Sequence, residues 1–267
     1  IKRLVKGSRS INFEELKFLQ PGISWSPESD KIVIAAKAGA SDALYLIDIK
    51  SDKQEKISFD LDGVFTAAWS PNGNQLAFVG NEGGASDIYL YELESKKTIN
   101  LTNDIYSDTE PSWSPNGEKI VFISDRGIKN NSITTTAKDM IDHNYDQSDV
   151  FIIDLNSNNI SQITNTVYNE NYPIFSNTEN KLFFTGDYQG TWNLFRYDFD
   201  SRESVPITNL LTGLFQLSLT KDDGSLVFSG YSSLGWDVFR LSNPLSLEST
   251  KIEPTNYISN RKENDKE

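Results

Sequence analysis

Apolar and polar positions in this chain alternate in short bursts separated by turn residues, and the bursts recur on a fixed frame. Residues 66–69, 75–79, 87–91 and 97–101 each have strand length and strand composition. Between the first two lies Ser70-Pro71-Asn72-Gly73, where Pro presets φ for a turn and Gly supplies its left-handed residue, so the flanking strands pair antiparallel. The whole unit repeats every 44 residues: Trp25, Trp69 and Trp113 share one position, each followed by Ser-Pro, and Phe175 and Leu219 continue the frame past an 18-residue insertion.

The other strands repeat with it. The second strand recurs at 32–35, 120–123, 182–185 and 226–229, and the third at 44–46, 150–152, 194–196 and 238–240. An acid closes the third strand at Asp48, Glu92, Asp154 and Asp198, whereas Ser242 breaks the series. The fourth strand ends in Ile57-Ser58, Leu101-Thr102, Ile163-Thr164 and Ile207-Thr208. A period of about 40 to 45 residues carrying four short strands predicts an all-β propeller. Four-stranded antiparallel blades are expected at about 22–62, 63–106, 107–168, 169–212 and 213–256, within a single propeller domain spanning 1–256. Residues 1–21 hold a spare strand, Ile1-Lys2-Arg3-Leu4-Val5, that either closes the ring or remains from a sixth blade. Residues 257–267 read as a charged tail.

The unit Trp-Ser-Pro-Asn-Gly, with Ile120 to Arg126, Asp87 to Tyr91 and Leu101 to Asn103, resembles the WD-like repeat of TolB-type propellers over nearly the whole chain. That resemblance implies a bacterial envelope protein or domain, typically six-bladed and periplasmic, that works by binding other proteins. Similar propellers also sit beside hydrolase domains of the prolyl-oligopeptidase type, which makes an accessory module of a larger protein the alternative.

Composition narrows the company such a ring keeps. A net charge of -13 repels phosphate backbones and favours partners with a basic segment, so nucleic acid is not expected. Mean hydropathy is -0.46 and no apolar run is long enough to insert in a bilayer. The chain has no cysteine, which excludes disulfides and thiolate chemistry. A monomeric, non-catalytic domain without a cofactor is expected. Gly230-Tyr231-Ser232-Ser233-Leu234-Gly235 has one residue too many for a nucleophile elbow, and a lone histidine cannot build a two-histidine zinc site. Paired acids for carbohydrate cleavage form the third and weakest reading.

Strand alternation sends the first-to-second and third-to-fourth turns to one side of the ring, and the longer second-to-third and fourth-to-first connections to the other. On that loop-rich side Asp60, Asp62, Asp104, Asp108, Glu110 and Glu170 are expected to rim the channel mouth, attracting a Lys/Arg-bearing peptide or supplying oxygens to a hard cation such as Ca²⁺. No spacing matches a dedicated calcium loop, and no metal site is assigned. Tyr188 with Trp192, and Tyr231 with Trp236, are candidate aromatic anchors on two loops; Trp192 and Trp236 read equally as blade filler. Asp87, Asp149, Asn193 and Asp237, one per blade, are expected to satisfy turn amides. The insertion between Arg126 and Asp149 carries Asn130, Thr135, Met140, Asp142, His143, Tyr145 and Asp146, with a helical turn expected over 138–145. His143 is expected to be an exposed loop or contact residue.

Overall fold

The computed structural model describes residues 15–16, 22–38, 41–127 and 143–259, whose strands form five antiparallel sheets, the blades of a propeller. Blade 1 holds β1 (Glu15–Leu16), β2 (Ile23–Trp25), β3 (Lys31–Ala38), β4 (Ser41–Asp48) and β5 (Gln54–Ser58); blade 2 holds β6 (Gly63–Trp69), β7 (Gln75–Glu82), β8 (Ala85–Glu92) and β9 (Thr98–Asn100). Blade 3 is β10 (Asp108–Trp113), β11 (Lys119–Ser124), β12 (Asp149–Asp154) and β13 (Asn159–Gln162). Blade 4 is β14 (Glu170–Phe175), β15 (Lys181–Gly186), β16 (Asn193–Asp198) and β17 (Glu203–Pro206), and blade 5 is β18 (Phe215–Leu219), β19 (Ser225–Ser232) and β20 (Gly235–Ser242).

Recurrent side chains explain the recurrent shape. In the first turn of blade 2, Gly73 adopts φ 76° and the Gln75 amide donates to Ser70 Oγ at 3.0 Å. Blade 3 does the same with Gly117 and Ser114, and blade 5 substitutes Thr220 and Asp223, an aspartate that tolerates the left-handed φ. The acid after the third strand accepts turn amides: Asp48 from Lys50 and Ser51, Asp154 from Asn156 and Ser157, Asp198 from Asp200 and Ser201. After the fourth strand, the Oγ1 atoms of Thr102, Thr164 and Thr208 accept the amides of Ile88, Val150 and Leu194. Asp87, Asp149 and Asn193 take loop amides from Asp104, Thr166 and Leu210, the structural role expected of them.

Neighbouring blades bury what a single sheet leaves bare. Trp69 packs on Val33, Leu44 and Leu46 of blade 1, Trp113 on Ala77, Val79 and Ile88 of blade 2, and Phe175 on Val121, Ile123 and Val150 of blade 3. Each anchor aromatic therefore faces the preceding blade. Trp25, at the same repeat position, does not share this burial: it is 54% exposed and its neighbour Ile23 63%. Blade 5, which precedes blade 1 around the ring, presents Val227, Ser229, Val238 and Arg240 on its trailing face, and Val238 is 77% exposed. The two blades do touch on the turn side, where Lys221 Nζ donates to Pro27 O at 3.0 Å.

Blade 5 also departs from the expected full repeat, because its sheet has three strands. The chain that would supply the fourth turns back onto blade 4. There the Arg196 guanidinium donates to the carbonyls of Leu245 and Leu247 at 2.8 and 2.9 Å, Thr250 N donates to Pro206 O at 2.9 Å, and Thr255 N donates to Gln189 O at 3.0 Å. The six-blade count is not reached by the described residues, which form five. Glu15–Leu16 pairs with β3 on the edge that β2 also uses, so it continues the line of β2 along β3 toward the loop-rich end. Ile1 to Val5, residues 128–142 with Asn130, Thr135, Met140 and Asp142, and the tail from 260 lie outside the described residues. Residues 143–145 are not helical, so the part of the expected helical turn that falls on described residues is absent.

Burial makes the anchors unequal. Trp69→Ala and Trp113→Ala should each lower stability by about 3–5 kcal/mol, whereas Trp25→Ala should cost under about 1 kcal/mol. Urea denaturation checks the contrast; equal losses at all three sites contradict the packing described.

Candidate functional site: an acidic loop face and a channel carboxyl

The innermost strand of blades 2 to 5 carries a β-bulge at its middle, where pairing shifts between Val64 and Ala67, Thr109 and Ser112, Asn171 and Ile174, and Phe215 and Ser218. These bulges face the axis. They line a channel cavity of about 310 Å³ to which all five blades contribute, including Ser24, Thr66, Glu110, Ser112, Tyr172 and Gln216. At the bulge, Glu110, Tyr172 and Gln216 occupy the same repeat position and hold φ of 55°, 53° and 58°. Glu110 and Tyr172 each precede a proline, which further disfavours compact backbone geometry there.

Glu110 therefore lies in the channel wall, deeper than the loop rim expected for it. The Tyr172 amide donates to Glu110 Oε2 at 2.5 Å, joining blades 3 and 4. Burial outweighs that bond and pushes the Glu110 carboxyl up to about 7, while burial and the nearby carboxylate push the Tyr172 phenol up to about 12.

Asp104, Asp108 and Glu170 leave the rim in another way, by entering polar networks between blades. Arg126 Nη2 grips both oxygens of fully buried Asp108 at 2.6 and 2.7 Å, and its Nη1 lies 3.1 Å from Asp104. The same guanidinium sits 5.3–5.7 Å from the rings of Tyr106, Phe122 and Phe151. Burial still dominates, leaving Asp108 raised to about 6 and Asp104 raised, with Arg126 opposing both. Asp87, Asp104 and Asp108 come close enough to suggest a metal triad, but the guanidinium already supplies the positive charge. One blade on, Tyr188 takes the place of Arg126: its hydroxyl donates to Glu170 at 2.8 Å, and Thr164 and Thr166 donate to the same carboxyl. Burial raises both Glu170 and its neighbour Asp149.

His143 is not the exposed loop residue expected. Its imidazole is buried, with Nε2 3.3 Å from Asp125 Oδ2 and the ring packed against Tyr106 and Tyr145. Tyr188 is drawn into the Glu170 network, so it is no loop-tip anchor, and Trp192 is half-buried beside Phe215. Tyr231 and Trp236 stay at the surface, 43% and 65% exposed, in edge-to-face contact on the hairpin that also bares Leu234.

What remains on the described loop-rich connections is an acidic surface with a single cation. Asp60, Asp62 and Asp146 are exposed, and Asp104, Asp125 and Asp187 lie on the same connections. Arg126 is the one lysine or arginine on these connections among the described residues. The opposite side carries Lys50, Lys53, Lys96, Lys97, Arg202 and Lys221 in its turns. Arg126 and Tyr188 were legible as chemistry only by running the 44-residue frame through the position after the second strand, where they coincide once the insertion is removed.

Residues 8–139 match the TolB beta propeller domain. Among solved structures the chain is similar to the putative TolB from Agrobacterium tumefaciens, at 17% identity and TM-score 0.68, over 84% of this chain and 77% of that one. It is similar to TolB from Acinetobacter baumannii at 17% identity and TM-score 0.64, over 84% of this chain and only 51% of that one. An oligogalacturonate lyase from Vibrio parahaemolyticus shares 14% identity and TM-score 0.58, over 90% of this chain and 64% of that one. Likeness at such identities speaks to the fold alone, since one architecture serves unrelated chemistries. No curated protein sequence matches the chain.

The buried acids give stability a definite pH slope. A carboxyl raised on folding contributes stability that is complete below its unfolded value and lost as pH rises through its folded one. For Glu110 that window runs from 4.5 to about 7. Thermal denaturation should show Glu110→Gln gaining stability relative to the parent as pH rises from 5 to 8; a difference independent of pH contradicts the assignment.

Proposed function

From the premise that this chain is a TolB-type β-propeller, we propose that it is a non-catalytic module of the bacterial envelope, periplasmic or outward-facing, that binds a basic segment of a partner protein on its loop-rich side. The observation that carries the reading is the distribution of cations: six lysines and arginines sit in the turns of the opposite side, and the described loop-rich connections hold one, Arg126. Carboxylates at Asp60, Asp62 and Asp146 meet solvent with no cation beside them on the described connections, and such a surface steers positively charged segments toward the channel mouth. A rigid scaffold presenting loops of one sign is a binding architecture. The chain's one imidazole is enclosed beside Asp125, and Glu110 is the one carboxyl among the described channel-lining residues, where glycoside cleavage by acid pairs needs two. Both features favour binding over catalysis.

A second reading has its own support. Trp25 and Ile23 on blade 1, with Trp236 and Val238 on blade 5, leave exposed apolar surface on the first and last blades. In this reading the propeller is an accessory module of a larger assembly, and a sixth blade or an adjoining hydrolase domain covers those residues. Acrylamide quenching in the complete gene product should then find Trp25 and Trp236 protected; unchanged access removes the reading.

For the first reading, a lysine-rich oligopeptide labelled for fluorescence anisotropy should bind with an affinity that falls steeply with salt. Replacing Asp60, Asp62 and Asp146 together by Asn should weaken it roughly tenfold and flatten that salt dependence. Affinity indifferent to both salt and the triple substitution overturns the proposal.

A further inference from the structure

The channel holds a carboxyl that the fold goes out of its way to install. Glu110 and Tyr172 adopt left-handed backbone at bulges, each ahead of a proline, a combination that L residues rarely adopt without compensation. The propeller does not demand this. Thr66 occupies the same repeat position in blade 2 without a left-handed φ, and its innermost strand is bulged all the same. Strain of this kind collects where a side chain must be held in a particular place.

The side chain so held has an unmet need. One carboxylate oxygen, Oε2, takes the Tyr172 amide, and among the described residues this is the one hydrogen bond Glu110 receives. Among the described residues no lysine, arginine or histidine lines the channel. A partly buried carboxylate with no counter-charge beside it among the described residues is stabilised when a cation arrives. The channel lining shared with Glu110 includes the hydroxyl-bearing residues Thr66, Ser112, Ser218 and Tyr172, whose oxygens suit an ion with several N–H donors.

We propose that the channel seats a lysine-type primary ammonium group, carried by an extended segment, on the free oxygen of Glu110. A guanidinium is served best by two carboxylate oxygens in parallel, and the Tyr172 amide already engages one of them; a compact ammonium needs only the other. The inference rests on the reading of the loop-rich side as a landing surface for a basic partner and extends it inward: the rim gathers the segment and Glu110 selects one residue of it. Occupancy strengthens as Glu110 ionises, so binding tightens as pH rises toward 7.

The test is an NMR titration of the intact protein with n-butylammonium, read at the Tyr172 amide, with n-butanol and n-butylguanidinium as comparisons. Saturable movement with n-butylammonium, none with n-butanol, and weaker binding of n-butylguanidinium are expected, with Glu110→Gln weakening the ammonium at least about tenfold. Equal movement with n-butanol, or full retention in Glu110→Gln, overturns the proposal, and tighter binding of n-butylguanidinium overturns the choice of ammonium. Should Glu110→Gln fail to fold, the parent protein titrated at pH 5 and pH 8 decides, since binding that does not tighten refutes a role for the carboxylate. The Asp60, Asp62 and Asp146 variant separates this idea from the broader one: peptide binding lost there while n-butylammonium still moves Tyr172 confirms the channel site. Peptide binding that is retained and rim-dependent with no response at Tyr172 sinks the channel site alone.

Discussion

Everything in this protein depends on sheets that cannot hide both of their faces. A four-stranded blade has an apolar surface on each side, and Phe78, Phe122 and Phe183 reach full burial only because a neighbouring blade closes over them. The anchor aromatics make that closure directional, since each inserts toward the blade before it. Where the rule is interrupted, between blades 5 and 1, the apolar anchor Trp25 stands exposed, and the facing surface of blade 5 is partly polar through Ser229 and Arg240. The molecule thus shows in one place what its other interfaces prevent.

Stacking also decides where polar groups end up. Fourth-to-first connections run between blades, so acids near their ends are pulled into interfaces and must be matched there. Arg126 meets Asp104 and Asp108, and Tyr188 meets Glu170, two solutions at one repeat position. Bidentate pairing suits the fully buried aspartate, because an unpaired charge there would be untenable. The phenol suffices for Glu170 because burial raises that carboxyl, favouring its neutral form. With those acids consumed internally, Asp60, Asp62 and Asp146 are the exposed carboxylates on the described loop-rich connections, and Glu110 is the carboxyl among the described channel-lining residues.

Much of the architecture was readable from residue order because its causes are local. A turn of Ser-Pro-Asn-Gly needs only its own residues to reverse the chain, and the threonines after the fourth strand bond amides of the adjacent third strand. The 44-residue period therefore located the blades, their strand order and the face on which the long connections gather. It misjudged the fifth blade, whose last segment turns back onto blade 4, where Arg196 of β16 collects three backbone carbonyls. Nothing in the local pattern of residues 244–255 announces that choice, since the competing edges differ only in three dimensions.

By itself, then, the residue order determined the repeat, the antiparallel pairing and the acidity of the loop-bearing side, all consequences of spacing and composition. Tertiary structure alone decided which acids are exposed and which are enclosed, that His143 is buried against Asp125, and that Glu110 turns into the channel rather than out at its mouth. Those outcomes depend on how blades meet around an axis, and a one-dimensional period carries no information about which neighbour's side chain will stand opposite.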